Sequence, residues 1–294
     1  MNKTRLAVIY ALTAALCYGL SAPFSKLLLR QISPAFLASL LYWGAGLGML
    51  AVYVFPAKSA PSAPALSGKD FPWLAAMVLL DAAAPMLLLW GLQTTTPATV
   101  ALLNNFEIAA TALIAFWLFK ETVSKRLWAA VVLITAASVL LTVDDFSALS
   151  FSKGALLALA ASICWGFENN TTRQLSAKNP VQTVMVKGFG SGSLSLCVAA
   201  YTGQIHLAPG YILGALLLGA LAYGCSVYFY ILAQRYLGAA RTGVFYAAAP
   251  FMGVLFSFML IGQPIGWSFC TALALMLAGT WLAAADTSSR PEVP

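Results

Sequence analysis

Residues 162–173 read SICWGFENNTTR, and residues 15–26 read ALCYGLSAPFSK. Each holds a Cys-aromatic-Gly triplet late in an apolar run: Cys17-Tyr18-Gly19 in one, Cys164-Trp165-Gly166 in the other. Each also ends in a base, Lys26 or Arg173. The likeness continues downstream. SPAFLASLLYWGAG (33–46) aligns with NPVQTVMVKGFGSG (179–192), matching Pro34 to Pro180, Gly44 to Gly190 and Gly46 to Gly192. Further on, NNFEIAATALIAFWLFKE (104–121) lies against YAAAPFMGVLFSFMLIGQ (246–263). The chain therefore reads as two related halves, 1–149 and 150–294.

Composition identifies the solvent. Of the residues, 61% are hydrophobic and 9% charged, against about 25% charged in soluble domains. A water-facing surface cannot be built from this, so the chain is expected to lie in lipid. A bilayer core of ~30 Å takes roughly 20 apolar residues per helix. Backbone groups in lipid must be satisfied within the segment, which excludes open strands. Suitable segments run over 6–29, 34–55, 72–92, 97–119, 127–143, 154–175, 181–201, 211–234, 239–261 and 267–285. The longest connection, PAKSAPSAPALSGKD (56–70), reads as a flexible loop. Each half has an odd number of spans, so the second half enters the membrane upside down. The expected fold is an all-α integral membrane protein of ten transmembrane helices, arranged as two inverted five-helix repeats. Such repeats place a site near mid-membrane between the halves.

Charge sets orientation and excludes other classes. Twelve lysines and arginines fall on the side of both termini, against Lys26, Arg30 and Lys153 on the other. That bias predicts cytoplasmic termini in a multi-pass cell membrane protein. The net charge of +7 is spread between apolar segments without interleaved aromatics, so lipid rather than nucleic acid is the expected partner. The five cysteines sit in apolar runs as small packing residues, and His206 is the sole histidine. Without HExxH, GxSxG or a histidine cluster, an enzyme is not expected; an integral-membrane enzyme pairing Asp81 with Glu107 is the alternative from another class. The glycine runs follow no strand, so a nucleotide site fails its context; Gly44-x-x-x-Gly48 and Gly188-x-x-x-Gly192 read as close helix contacts. The expected partners are a small-molecule substrate and the bilayer, for a monomer or homodimer without cofactor.

Ionisable residues inside a bilayer each need a reason. Asp81 lies four residues before Pro85, whose ring frees the carbonyl of residue 81. It reads either as a polar patch at a kink or as a carboxylate facing substrate, with Tyr223 as its repeat counterpart. Glu107 is about ten residues into its span, so ~15 Å deep. Asn104 and Thr111 share its face by spacing. That stripe is either a ligand or proton site or hydrogen-bonding glue between helices. Glu168 and Lys187 are equidistant from the turn between their spans, so they fall at matching depth and can form a buried ion pair. If Glu168 is free instead, it joins Trp165, Asn169, Tyr18, Tyr223, Tyr230 and Tyr246 in an aromatic and acidic box for an organic cation.

With these residues the chain resembles the drug/metabolite transporter superfamily, specifically the EamA-type ten-helix permeases. The carriers are the two small-aromatic-Gly turns and the helix starts Ser33-Pro34 and Asn179-Pro180. A Glu-Pro position is split here between Glu107-Ile108 and Ala249-Pro250, and the helix-end acid or amide falls at Glu121 and Gln263. A basic position after the helix-start proline is kept as Lys187 and replaced by Leu41. The resemblance implies a secondary-active or facilitative transporter working by alternating access. Proton coupling through Asp81, Glu107 or Glu168 is one option. Trp165-Gly166-Phe167-Glu168 is similar to a pattern in members that handle quaternary ammonium compounds such as choline. Because three of the four embedded charges are acidic, the preferred cargo is a cationic or zwitterionic amine, and the alternative is export of a neutral metabolite or drug.

Overall fold

The computed structural model describes residues 3–55, 64–118, 120, 123–145, 150–175, 178–205, 208–230, 232–233, 245–262 and 266–289. Most of the loop 56–70, Glu121, His206, the first residues of the span 239–261 and Gln263 lie outside them.

Helices dominate. In chain order they are α1 (Lys3–Gly19), α2 (Ser21–Leu28), α3 (Pro34–Val54), α4 (Phe71–Thr94), α5 (Pro97–Leu103) and α6 (Phe106–Trp117). There follow α7 (Lys125–Thr142), α8 (Lys153–Arg173), α9 (Pro180–Tyr201), α10 (Pro209–Gly219), α11 (Ala249–Ile261) and α12 (Trp267–Ser289). One detail departs from an all-α chain: Val143–Asp145 pairs antiparallel with Ser150–Phe151 between the halves. Several helix starts follow local rules. Pro34, Pro97, Pro180 and Pro209 sit in the first turn, where a missing N–H costs nothing. Asn179 Oδ1 accepts from the Val181 and Gln182 amides at 3.0 and 3.4 Å, and Ser152 Oγ from Ala155 at 3.3 Å.

Among the described residues, eight helical stretches are long and apolar enough to cross a membrane: Arg5–Leu28, Pro34–Val54, Gly68–Thr94, Pro97–Trp117, Lys125–Thr142, Pro180–Tyr201, Pro209–Tyr230 and Trp267–Ala285. The helix α8 has the length but carries the polar run Glu168–Arg173, and α11 is apolar but shorter.

Two stretches expected as single helices are interrupted. The join of α1 and α2 falls at Leu20, where Pro23 offers no N–H to the Gly19 carbonyl. The join of α5 and α6 falls at Asn104–Asn105, where Asn105 Nδ2 donates to the Leu102 carbonyl at 3.1 Å and competes with the helix ladder. A comparable turn at Ala247–Ala248 precedes α11, and Pro250 cannot donate to the Tyr246 carbonyl. Past α10, residues Ala220–Cys225 form a π-helical turn before the helix resumes to Tyr230. Such bulges recur at functional sites.

Small residues let the helices close on one another. At the centre α3 runs along α9, α4 packs on α8 and α9, α6 on α8, and α1 on α11, while α7 pairs with α12. A Cβ on Gly188 would fall 2.6 Å from the Gly46 amide nitrogen, so only glycine permits the α3–α9 approach. Hydroxyls tie neighbours together: Ser191 Oγ donates to the Val78 carbonyl at 3.0 Å, and Ser226 Oγ to that of Ala14 at 2.9 Å. Thr280 Oγ1 donates to Asn105 Oδ1 at 3.2 Å, anchoring the α5–α6 break to α12.

Candidate functional site

Between α3, α6, α8, α9 and the helix containing the π turn lies a cavity of about 470 Å³. It is large enough for a small organic molecule. Six of the seventeen residues in its wall are aromatic. Tyr18 meets Tyr223 edge-on with ring centroids 5.9 Å apart and Tyr246 at 6.1 Å. Tyr230 packs on Tyr246 at 4.9 Å, and Tyr42 on Tyr223 at 5.4 Å. Trp165 adds a ring from α8, almost wholly buried. The hydroxyls are anchored: Tyr223 Oη lies 3.1 Å from Ser21 Oγ, and Tyr246 Oη 3.3 Å from Ser226 Oγ. Rings held at both ends keep one orientation.

The charged groups fall into two sets. In the first, Lys187 Nζ stands between two carboxylates, 3.0 Å from Asp81 Oδ2 and 3.1 Å from Glu168 Oε1. Asp81 is fully buried, and its Oδ1 accepts from Tyr42 Oη at 3.0 Å. Glu168 is also buried, and its Oε1 accepts from Thr172 Oγ1, one turn on. Lys187 keeps 24% side-chain exposure toward the cavity, which it lines. Two acids around one ammonium leave a surplus negative charge when both are ionised. The second set is Glu107 alone. Its Oε1 accepts from Asn169 Nδ2 at 2.5 Å, and the same amide lies 3.3 Å from Thr111 Oγ1. No lysine or arginine among the described residues lies within ion-pair reach of Glu107.

Of the residues singled out in the sequence, Tyr18, Glu107, Trp165, Glu168, Asn169, Tyr223, Tyr230 and Tyr246 all line this cavity. Asp81 stands behind the wall and reaches it through Lys187 and Tyr42. Asn104 is elsewhere. The break at Asn104–Asn105 turns it off the Glu107 face, into a small cleft on the far side of Tyr18. Thr111 and Thr172, on the helical faces of Glu107 and Glu168, line the cavity too. Tyr42 was missed by sequence reasoning. A tyrosine amid apolar residues of α3, aligned with Gly188 across the repeat, was the signal available, since both positions line the cavity.

A bundle of membrane-length helices closing on a polar, ring-lined chamber is the construction of a small-molecule membrane transporter. Sequence comparison agrees. Residues 5–143 and 152–285 each match the EamA-like transporter family, and the chain belongs to that family. It is 26% identical to an uncharacterized transporter of Methanothermobacter thermautotrophicus, over 93% of this chain and 84% of that protein. A crystal structure at 17% identity superposes with a TM-score of 0.68, covering 96% of this chain and 97% of the other, and shares its fold.

Proposed function

We propose that this chain is a secondary-active or facilitative transporter of a cationic or zwitterionic amine, working by alternating access. In this reading ten helices form two inverted five-helix repeats, split near residue 150, with both termini cytoplasmic. The packing supports the repeat, because contacts recur with the halves exchanged. Gly19 abuts Ala249, Met252 and Gly253, while Gly166 abuts Ala110 and Thr111, the aligned partners of Met252 and Gly253. Likewise Gly46 faces Phe189 while Gly192 faces Trp43. Interrupted helices around a central chamber suit a rocking mechanism.

The observation that carries the cargo is the charge count. Three carboxylates, Asp81, Glu107 and Glu168, share one ammonium, Lys187, among the described residues around a tyrosine-rich cavity. Uncompensated acids in a low-dielectric site draw in a cation. Because Lys187 occupies Glu168, the acceptor for an incoming ammonium is Glu107, with ring faces attracting the same charge at ~0.5–2 kcal/mol each. A proton on Glu107 is the natural alternative occupant, which gives the site a means of exchange.

Thermal-shift binding on purified protein, paired with proteoliposome exchange, tests this. A quaternary ammonium compound, a primary amine, an amino acid and a neutral sugar form the panel. A cationic or zwitterionic member is expected to stabilise the protein and to exchange, and Glu107→Gln to abolish both. Equal stabilisation by the sugar alone, or full binding in Glu107→Gln, overturns the amine reading.

A further inference from the structure

The cleft on the far side of Tyr18 invites a second role. It is bounded by Gly19, Ser21, Ala22, Leu88, Ala101 and Asn104, with Pro250 and Gly253 closing it. Tyr18 belongs to both spaces, so its ring is the partition between them. The cleft is nearly shut, at about 10 Å³, no more than a water. Yet Asn104 Oδ1 is buried there without a hydrogen-bond partner from the protein. An orphaned amide oxygen beside small residues is costly in a resting core, and such groups ask for an explanation.

The neighbouring lysine supplies one. Lys26 Nζ donates to the Leu92 carbonyl, and lies 3.1 and 3.0 Å from the Gln93 and Thr95 carbonyls. These are the free carbonyls at the C-terminal end of α4, where a cation is favoured. Along α2, Lys26 is about one turn past Ser21 and Ala22; along α4, Leu92 is one turn past Leu88. The lysine therefore clamps together the two helices that wall the cleft, just beyond it. The main cavity extends the other way, along Glu107 to Thr111, Glu168 to Thr172 and Tyr223 to Tyr230. Since α4 runs antiparallel to its partner α8 in this hairpin-connected bundle, the clamp and the Thr172 end of the cavity lie at opposite ends.

We propose that the cleft is the collapsed second half of the permeation path, that Tyr18 is its inner gate, and that Lys26 is the latch holding it shut. In the open state the Lys26 ammonium leaves the α4 carbonyls, α2 parts from α4, and Asn104 Oδ1 becomes a hydrogen-bond acceptor for a passing ammonium or its water. The inference rests on the transporter reading, but its test needs no cargo.

The experiment places Leu88→Cys, a buried cleft residue, in full-length protein whose five native cysteines are replaced by serine or alanine. Proteoliposomes are treated with a membrane-impermeant maleimide from the face bearing the α2–α3 turn. Labelling is expected to be slow with Lys26 present, about tenfold faster with Lys26→Met, and within about twofold of the starting rate with Lys26→Arg. Asn104→Leu, which removes the orphan acceptor at similar size, is expected to raise Tm and slow labelling further. If Lys26→Met lowers Tm but leaves the labelling rate unchanged, Lys26 is a helix cap and the latch is wrong. Should Lys26→Met not fold, Lys26→Gln and Asn104→Leu carry the test, and faster labelling in Asn104→Leu overturns the proposal. Latch-dependent labelling in a protein that binds no amine would separate this inference from the cargo reading.

Discussion

Gly19 and Gly166 do the same job in the two halves, whereas Glu107 and its aligned partner Ala249 do not. The glycines let α1 and α8 press against α11 and α6 through matched contacts. The lining they frame is lopsided. Asp81 aligns with Tyr223, Lys187 with Leu41, Tyr42 with Gly188, and only one half has Glu107. Under the proposed alternating-access reading, backbone approach is duplicated because both halves rock on equal terms, and charge is not duplicated because one cavity serves one cargo. The largest expected effect comes from breaking the lopsided part. Lys187→Met leaves Asp81 and Glu168 facing each other without a cation, a loss of about 3–5 kcal/mol. Thermal unfolding in detergent should show it, and adding Asp81→Asn with Glu168→Gln should restore most of the stability. Failure of the triple variant to recover would mean that Lys187 acts by packing rather than charge.

The duplicated part breaks next. A Cβ on Gly19 would meet Met252 Cβ at 2.8 Å, and one on Gly166 would meet Ala110 Cβ at 2.7 Å. Gly19→Val and Gly166→Val are each expected to cost about 1–3 kcal/mol through overpacking. The comparison predicts similar losses in Tm for the two. A large loss in one with none in the other would show that the halves are not mechanical equals.

How much of this was legible beforehand follows from what each signal depends on. Membrane burial and the repeat came from composition and paired motifs, which survive any packing detail. Matching the depths of Glu168 and Lys187 across one turn brought them close on paper, and the structure places them 3.1 Å apart. Asp81 as the third member was not legible, because it comes from α4, and only tertiary packing of α4 on α9 carries it there. Asn104 misled for a local reason. Spacing arguments assume a continuous helix, and Asn105 side-chain bonding to Leu102 breaks the helix between the residues being compared. The π turn around Tyr223 is invisible for the same reason, since nothing in ALAYGC (220–225) differs from an ordinary apolar helix until neighbours press on it.

Glu107 sharpens the comparison at smaller cost. Glu107→Gln keeps an oxygen for Asn169 Nδ2, now at 2.5 Å from the carboxylate, and removes only charge. Stability should change by less than about 1 kcal/mol, while amine-dependent stabilisation disappears. That split, binding lost with folding kept, is the signature of a group held for its ligand. Loss of both together would assign Glu107 to structure.

The smallest effect is expected at the bridge of Lys178 to Asp70, 2.9 Å long and set at a helix end outside the cavity. In distance it matches the Lys187 pairs, so geometry alone would rank them together. Solvent decides otherwise. The two lysines are equally accessible, but Asp70 keeps 13% side-chain exposure against 0% for Asp81 and 4% for Glu168, so the Lys178 pair exchanges nearby water for a partner with little gain, and salt screens what remains. Lys178→Gln should leave Tm and ligand binding unchanged within error at both low and high ionic strength, whereas Lys187→Met should lower Tm at both. A salt-sensitive loss at Lys178 would show that the link between α9 and the turn before α4 bears on the rocking of the halves, and it would move this bridge from the surface to the mechanism.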